Sequence, residues 1–219
     1  MARLGENGYG KSRVRLVKVS RREGRHELRD LTVSIRLEGD FEEAHVRGDN
    51  RDVLPTDTMK NTVYALARQI EIDAIEDFAR ALATHFLPEN PVVNRARVTV
   101  REQAWNHIPV GGRAHPHAFV RSSDELDVAT VTAEGENVRV ESGIDELRVL
   151  KTTGSGFEGY PRNRYTTLRE TSDRVLATAM RVRWTYGLTE ISHSEIRTRA
   201  REIMLETFAE QDSRCVQHT

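Results

Sequence analysis

The 219-residue chain carries 33 Lys and Arg against 34 Asp and Glu, a formal net charge of −1, with 37% hydrophobic and 31% charged residues. That balance excludes a disordered or low-complexity chain and supplies no global attraction for nucleic acid or an anionic membrane. One cysteine, Cys215, excludes an internal disulfide framework, and no run approaches the roughly 18 consecutive apolar residues of a membrane span.

The first strong pattern in chain order is Val14-Arg15-Leu16-Val17-Lys18-Val19, β-branched enough to predict a strand. Gly24 ends it, and Leu31 to Glu38 follows with apolar residues at every second position. This is a second, half-buried strand paired antiparallel to the first. From Thr56 the period becomes helical through Met59, Val63, Leu66 and Ala67. A second helix runs through Ile72, Ile75, Phe78, Ala79, Leu82 and Phe86 until Pro88 and Pro91. Strands return at Ala96 to Trp105, Ala118 to Val120 and Val128 to Val131, so the first module reads ββααββ. Gly111 to His117 reads as a loop. Val138 to Val140 is a short strand closing the first sheet, and Leu147 to Lys151 begins a second module. Ala177 to Tyr186 is a longer strand, and a helix spans about His193 to Glu210. Its apolar stripe is Ile196, Ala200, Ile203, Met204, Thr207 and Phe208. The predicted class is α+β, with modules at 8–140 and 141–219, the second lacking the helix and strands that the first pattern would supply.

Several clusters have plain structural readings. His115-Pro116-His117 is expected to turn its rings to opposite sides of an extended backbone, which disfavours a metal site. Zinc spacing is absent because the cysteines are absent. Arg13, Arg15, Lys18, Arg21, Arg22, Arg25 and Arg29 crowd together without aromatic stacking partners, and read as a solvated or subunit-facing surface rather than a nucleic-acid patch. Cys215 reads as an inert thiol near a chain end. Met1 to Gly10 lacks an apolar signal core, and Cys215 to Thr219 carries no peroxisomal tripeptide. The expectation is a cytoplasmic protein, with a peroxisomal one as the eukaryotic alternative.

Three segments read as chemistry. Tyr9-Gly10-Lys11 places a lysine just before a strand. Val53 to Tyr64 places Thr56 and Asp57 where a helix begins, either as caps or beside an anion on the free N–H groups. Phe157 to Thr178 is a long, polar, irregular stretch of the kind that carries function.

Together these segments resemble the urate oxidase family. The Tyr-Gly-Lys opening, Thr56-Asp57-Thr58-Met59-Lys60-Asn61-Thr62-Val63-Tyr64, and Tyr165-Thr166-Thr167-Leu168-Arg169-Glu170-Thr171-Ser172-Asp173-Arg174 match in type, order and spacing. His115 to Phe119 and Val149 to Ser155 add to the match, which runs from about residue 8 to the end. The resemblance implies the tunnelling fold (T-fold), tandem ββααββ modules joined across subunits, usually as a homotetramer with active sites at subunit interfaces. It implies oxidation of urate by O2 to 5-hydroxyisourate and H2O2, with no metal and no organic cofactor.

On the same ground Arg174 is the urate clamp and Phe157 stacks on the purine. Thr56 and Asp57 contact the opposite edge, Asp57 through its backbone N–H. Lys11 and Thr56 form the proton-relay pair. The family's catalytic histidine, purine-binding glutamine and an asparagine near the O2 position belong to final strands that the match does not reach. None of His115, His117, His193 or His218 matches that histidine, so little turnover is expected of the chain alone. Pro55 stands where the family commonly has a small residue. The alternatives are a non-catalytic, purine-binding or assembly-only T-fold homologue, a pterin-acting T-fold enzyme with a zinc site, and a basic nucleic-acid binder.

Overall fold

A computed structural model describes residues 4–187 and 191–212. The chain forms two compact units, Met1–Asp145 with Val182–Thr189, and Glu146–Arg181 with Glu190–Thr219. Cys215 and His218 lie outside the described residues.

Strands β1 (Gly8–Arg22) and β2 (Arg25–Gly39) form an antiparallel hairpin around Gly24, whose φ of 75° suits a residue without Cβ. A one-turn helix α1 (Glu42–Arg47) follows, which the sequence pattern does not announce. Helices α2 (Thr56–Gln69) and α3 (Ile75–Phe86) lie where the period of 3.6 puts them. They bury Met59, Val63 and Ala67, and Phe78, Ala79, Leu82 and Phe86. Against these pack the apolar positions of the sheet, among them Leu31, Val33, Ile35, Leu37, Val98, Val100 and Val131.

Strands β3 (Val93–Val110), β4 (Arg113–Glu134) and β5 (Asn137–Lys151) extend the sheet antiparallel, and with β6 (Leu176–Thr185) the order is β1-β2-β3-β4-β5-β6. The strands are longer than their sequence signals. β4 joins the Ala118 and Val128 segments into one strand, and β5 joins Val138 and Leu147. In β5 the stretch between them is carried by ladder bonds to β4 as far as Asp145, and in β4 Ser122 to Glu125 bulge out opposite Ala104 before pairing resumes at Leu126, neither of which periodicity registers.

The Gly111–His117 loop is a correction. Only Gly111 and Gly112, with φ of 57° and 76°, turn the chain, and the histidines lie on β4. The ladder slips between His107↔Phe119 and Pro109↔Ala114. Within that bulged stretch the His117 backbone N–H donates to His115 Nδ1 at 3.4 Å, and the two rings meet edge to face at 4.5 Å. The expected opposite orientation fails because side-chain alternation holds only in a regular ladder. Among the described residues no group of three or more His, Cys, Asp or Glu is placed to hold a metal ion.

A buried polar chain ties α3 to the sheet. Trp184 Nε1 donates to the Tyr186 hydroxyl, which donates to Ser142 Oγ, which donates to Glu76 Oε1, at 2.9, 2.7 and 2.5 Å. The basic N-terminal run is largely paired within its own unit: Arg15 with Asp30, Arg22 with Glu27, and Arg29 with Glu102.

In the second unit α4 (His193–Glu210) begins at Ser192, whose hydroxyl accepts the Glu195 N–H. Its apolar stripe is only partly covered. Phe208 is buried but Ile203 is 47% exposed, and a cavity of about 260 Å³ separates Met204 and Phe208 from Leu176 and Met180. No helix among the described residues is long and apolar enough to cross a membrane.

Candidate active site

The first cluster is assembled on β1 and the start of α2. Tyr9 packs edge to face on Phe41 at 4.8 Å, and its hydroxyl donates to the Leu54 carbonyl at 3.0 Å. The ring thus pins the 53–55 segment to β1, and burial raises the phenol above its ordinary range. Gly10 admits the close approach of β2, since a Cβ there would sit 1.9 Å from the Ile35 carbonyl oxygen. Gly10→Ala is expected to lower stability by at least about 2 kcal/mol, read as a reduced urea midpoint. An unchanged midpoint would show that β1 shifts freely.

Lys11 follows, inside β1 rather than before it. Directly after it the ladder jumps from Lys11↔Ile35 to Val14↔Val33, and Arg13 takes a φ of 60°. This bulge adds one residue on β1 and re-aims the chain beside Lys11.

Helix α2 opens at Thr56 after Pro55, and no side chain caps it. The capping alternative for Thr56 and Asp57 is therefore corrected: Pro55 occupies the N-cap position, and its extended ψ of 136° leads the chain into the helix. The Thr56 hydroxyl has no partner among the described residues. The Asp57 carboxylate turns along the helix and accepts from Lys60 Nζ and, at 3.0 Å, from Asn61 Nδ2. The bond from Lys60 holds its carboxyl below the usual range, and the nearby Lys11 charge adds to this. The Asp57 backbone N–H stays at the open, electropositive end of α2.

The second cluster lies wholly in the second unit. Phe157 and Thr171 exchange backbone hydrogen bonds of 2.7 and 3.2 Å in an isolated antiparallel bridge. Gly156 permits this closeness, because a Cβ there would lie 2.9 Å from the Ser172 carbonyl oxygen. The Asp173 carboxylate clasps the two ends of the loop. It accepts from Thr153 Oγ1 at 2.8 Å and from the Ser155 N–H at 3.4 Å.

The Arg174 guanidinium stands 5.2 Å from the centre of the Phe157 ring. Its Nε is buried and has no hydrogen-bond partner among the described residues. A buried guanidinium N–H without an acceptor is costly, and an anion placed on it removes the cost. Tyr160 stacks on Phe157 at 4.8 Å and 12°, with its hydroxyl donating to the Leu168 carbonyl at 2.7 Å.

Sequence reasoning names Phe157 and Arg174 but misses Tyr160 and Asp173 as their supports. The signal for Tyr160 is its place three residues after Phe157 across Gly159, whose φ is 70°. The signal for Asp173 is weaker: an acid beside Arg174, opposite a Thr-Gly-Ser segment that offers it donors. Lys11, Thr56 and Asp57 belong to the first unit, and Phe157 and Arg174 to the second.

Comparison with known proteins bears on both clusters. The sequence model of the family Uricase matches residues 7–132 and 140–219. The chain is 44% identical to the uricase of Arthrobacter globiformis over 216 residues, covering 99% of this chain and 70% of that protein. It is 38% identical to the uricase of Dictyostelium discoideum over 222 residues, covering 100% of this chain and 77% of the relative. The crystal structure of the Arthrobacter globiformis uricase superposes with a TM-score of 0.92 at 43% identity, over 100% of this chain and 74% of that one.

Proposed function

The chain belongs to the uricase family, and from that premise we propose how its residues divide the oxidation of urate by O2 to 5-hydroxyisourate and H2O2. The enzyme is a urate oxidase, an oxidoreductase of purine degradation, with the α+β T-fold of its relatives. The observation that carries the division of labour is the Arg174 guanidinium, held over Phe157 with a buried, unpartnered Nε–H.

A guanidinium offers two parallel donors to adjacent oxygen and nitrogen atoms on one edge of a planar purine anion, which an ammonium cannot. Phe157 supplies a flat apolar surface for the ring, and Tyr160 fixes the plane of Phe157 from its other contacts. Thr56 and the Asp57 backbone N–H receive the opposite edge. Lys11 and the Thr56 hydroxyl form the relay that takes a proton from the substrate. Urate stripped of that proton is electron-rich enough to pass electrons to O2, so the protein's task is to position, deprotonate and shelter it.

The Lys11–Thr56 cluster and the Phe157–Arg174 cluster fall in different units. The resemblance to the family implies a division in which one subunit supplies the base and its neighbour the clamp, within a homotetramer built from the tandem modules 8–140 and 141–219. Sedimentation equilibrium, with activity measured across the dissociation range, tests it: activity that persists in monomers excludes shared sites. The reaction itself is tested by loss of the near-ultraviolet absorbance of urate with stoichiometric peroxide release. Tight binding of 8-azaxanthine without turnover favours the purine-binding homologue instead.

The Asp173 clasp makes a pH prediction. Its carboxyl lies below the ordinary aspartate range, first because Thr153 donates to it and then because the N–H groups of Ser155, Gly154 and Arg174 do so. A depressed folded pKa contributes stability that is complete above the unfolded value and is lost as pH falls through the folded one. The melting temperature is therefore expected to carry a contribution from Asp173 that stays level from neutral pH down to the ordinary aspartate range and falls below that, and 8-azaxanthine affinity depends on the same clasp. Asp173→Asn should weaken it about tenfold already at neutral pH. Wild-type affinity in Asp173→Asn would mean that the clasp does not position Arg174.

A further inference from the structure

We propose that the sheet face opposite α2 and α3 binds an oxyanion of the phosphate type through Arg97, Arg139 and Thr132. The strand registers align Arg36↔Arg97, Arg97↔Thr132 and Thr132↔Arg139, so one row across β2, β3, β4 and β5 reads Arg, Arg, Thr, Arg. The three arginines are exposed, whereas the alternate positions Leu37, Val98, Val131 and Val140 are buried under the helices. All these residues belong to the first unit.

Arg36 is paired with Glu38, so the guanidinium groups of the row left without a partner among the described residues are those of Arg97 and Arg139, whose strands lie about 10 Å apart. The carboxylates nearby are largely engaged with other cations. Glu38 pairs with Arg36 at 2.7 Å and with Arg95 at 3.0 Å, and Glu134 pairs with Arg95 at 3.1 Å. Glu141, in the next row, lies 4.0 Å from Arg183. Arg97 and Arg139 have no hydrogen-bond or ion-pair partner among the described residues.

Both guanidinium groups line one open cavity of about 540 Å³ with Thr132 between them, and Arg95 with the carboxylates Glu38, Glu134 and Glu141 that pair with other arginines line it too. Two unpaired forked donors and a hydroxyl suit a tetrahedral oxyanion. Inorganic phosphate and the phosphates of a nucleotide share this chemistry. The row contains none of Lys11, Thr56, Asp57, Phe157 or Arg174, so it is separate from the residues assigned to the oxidation.

The test is isothermal titration of the purified protein with inorganic phosphate and, separately, with ATP, in chloride buffers of matched ionic strength. Saturable binding is expected, with Kd raised at least ~10-fold in Arg97→Gln and in Arg139→Gln. Circular dichroism melts in chloride should show both variants about as stable as the parent, because neither arginine has a hydrogen-bond or ion-pair partner to lose among the described residues. Tighter ATP than phosphate binding assigns the site to a nucleotide, and the reverse assigns it to free phosphate. If either arginine variant fails to fold, Thr132→Val, which removes one donor without altering charge, is expected to weaken binding severalfold. Equal binding by parent and variants, or a response that follows ionic strength whatever the anion, overturns the proposal.

Discussion

In a protein that also carries the family's final strands, Arg174→Lys is expected to lower kcat/KM for urate by about 10²-fold while the protein stays folded. The guanidinium is held over Phe157 at 5.2 Å, and its Nε–H has no acceptor among the described residues. Lysine keeps the positive charge and loses the fork. A charge-assisted hydrogen bond contributes about 1.5–3 kcal/mol, and each 1.4 kcal/mol is a factor of ten, so losing one bond and misaligning the other accounts for the loss. The contrast between charge and geometry is what the substitution reads: a site that needed only a cation would tolerate lysine. 8-Azaxanthine affinity should fall in parallel with kcat/KM, because the clamp holds the ring before any chemistry. Wild-type affinity in Arg174→Lys would remove Arg174 from the site and leave its orphaned Nε unexplained.

Lys11→Met should divide kinetics from binding. In a protein that also carries the family's final strands, turnover is expected to drop at least ~10²-fold, with 8-azaxanthine affinity changed little, because a base acts on the proton and not on the grip. Methionine matches the apolar stem of lysine, so the Tyr9 and Gly10 contacts that seat β1 persist. The position supports the role: Lys11 is half-buried, stands at the start of a bulge, and lies near enough to α2 for its charge to act on Asp57. Thr56→Val, which removes the relay hydroxyl but keeps the shape, should cost less than Lys11→Met if water can take its place. Near-normal turnover in Lys11→Met would move the base elsewhere.

Much of the fold was legible in the sequence because its signals are local. The period of 3.6 through Met59, Val63 and Ala67, and again through Phe78, Leu82 and Phe86, marks two helices whose buried faces are those residues. Alternation through Leu31, Val33, Ile35 and Leu37 marks β2. Helix α4 spans His193 to Glu210 as its pattern indicates, yet its stripe is less buried than the pattern suggests, because periodicity marks a face and not what covers it. The ends and continuity of the strands were not legible. The continuity of β4 across the bulge at Ser122 to Glu125, and the bulge that folds His115 against His117, follow from the registers with other strands on either side.

The site divides in the same way. Lys11, Thr56, Asp57, Phe157 and Arg174 stand in short motifs whose order and spacing mark the family, so the sequence by itself determined which chemistry to expect and which side chains to examine. Only the tertiary structure decided that Pro55 leaves Thr56 uncapped, that Asp173 and Tyr160 hold the clamp, and that Arg36, Arg97 and Arg139 fall in one row. The physical reason is register. A side chain's neighbours along the chain are set by covalent spacing, but its neighbours across a sheet are set by hydrogen-bond pairing, and a slip of one residue exchanges them all.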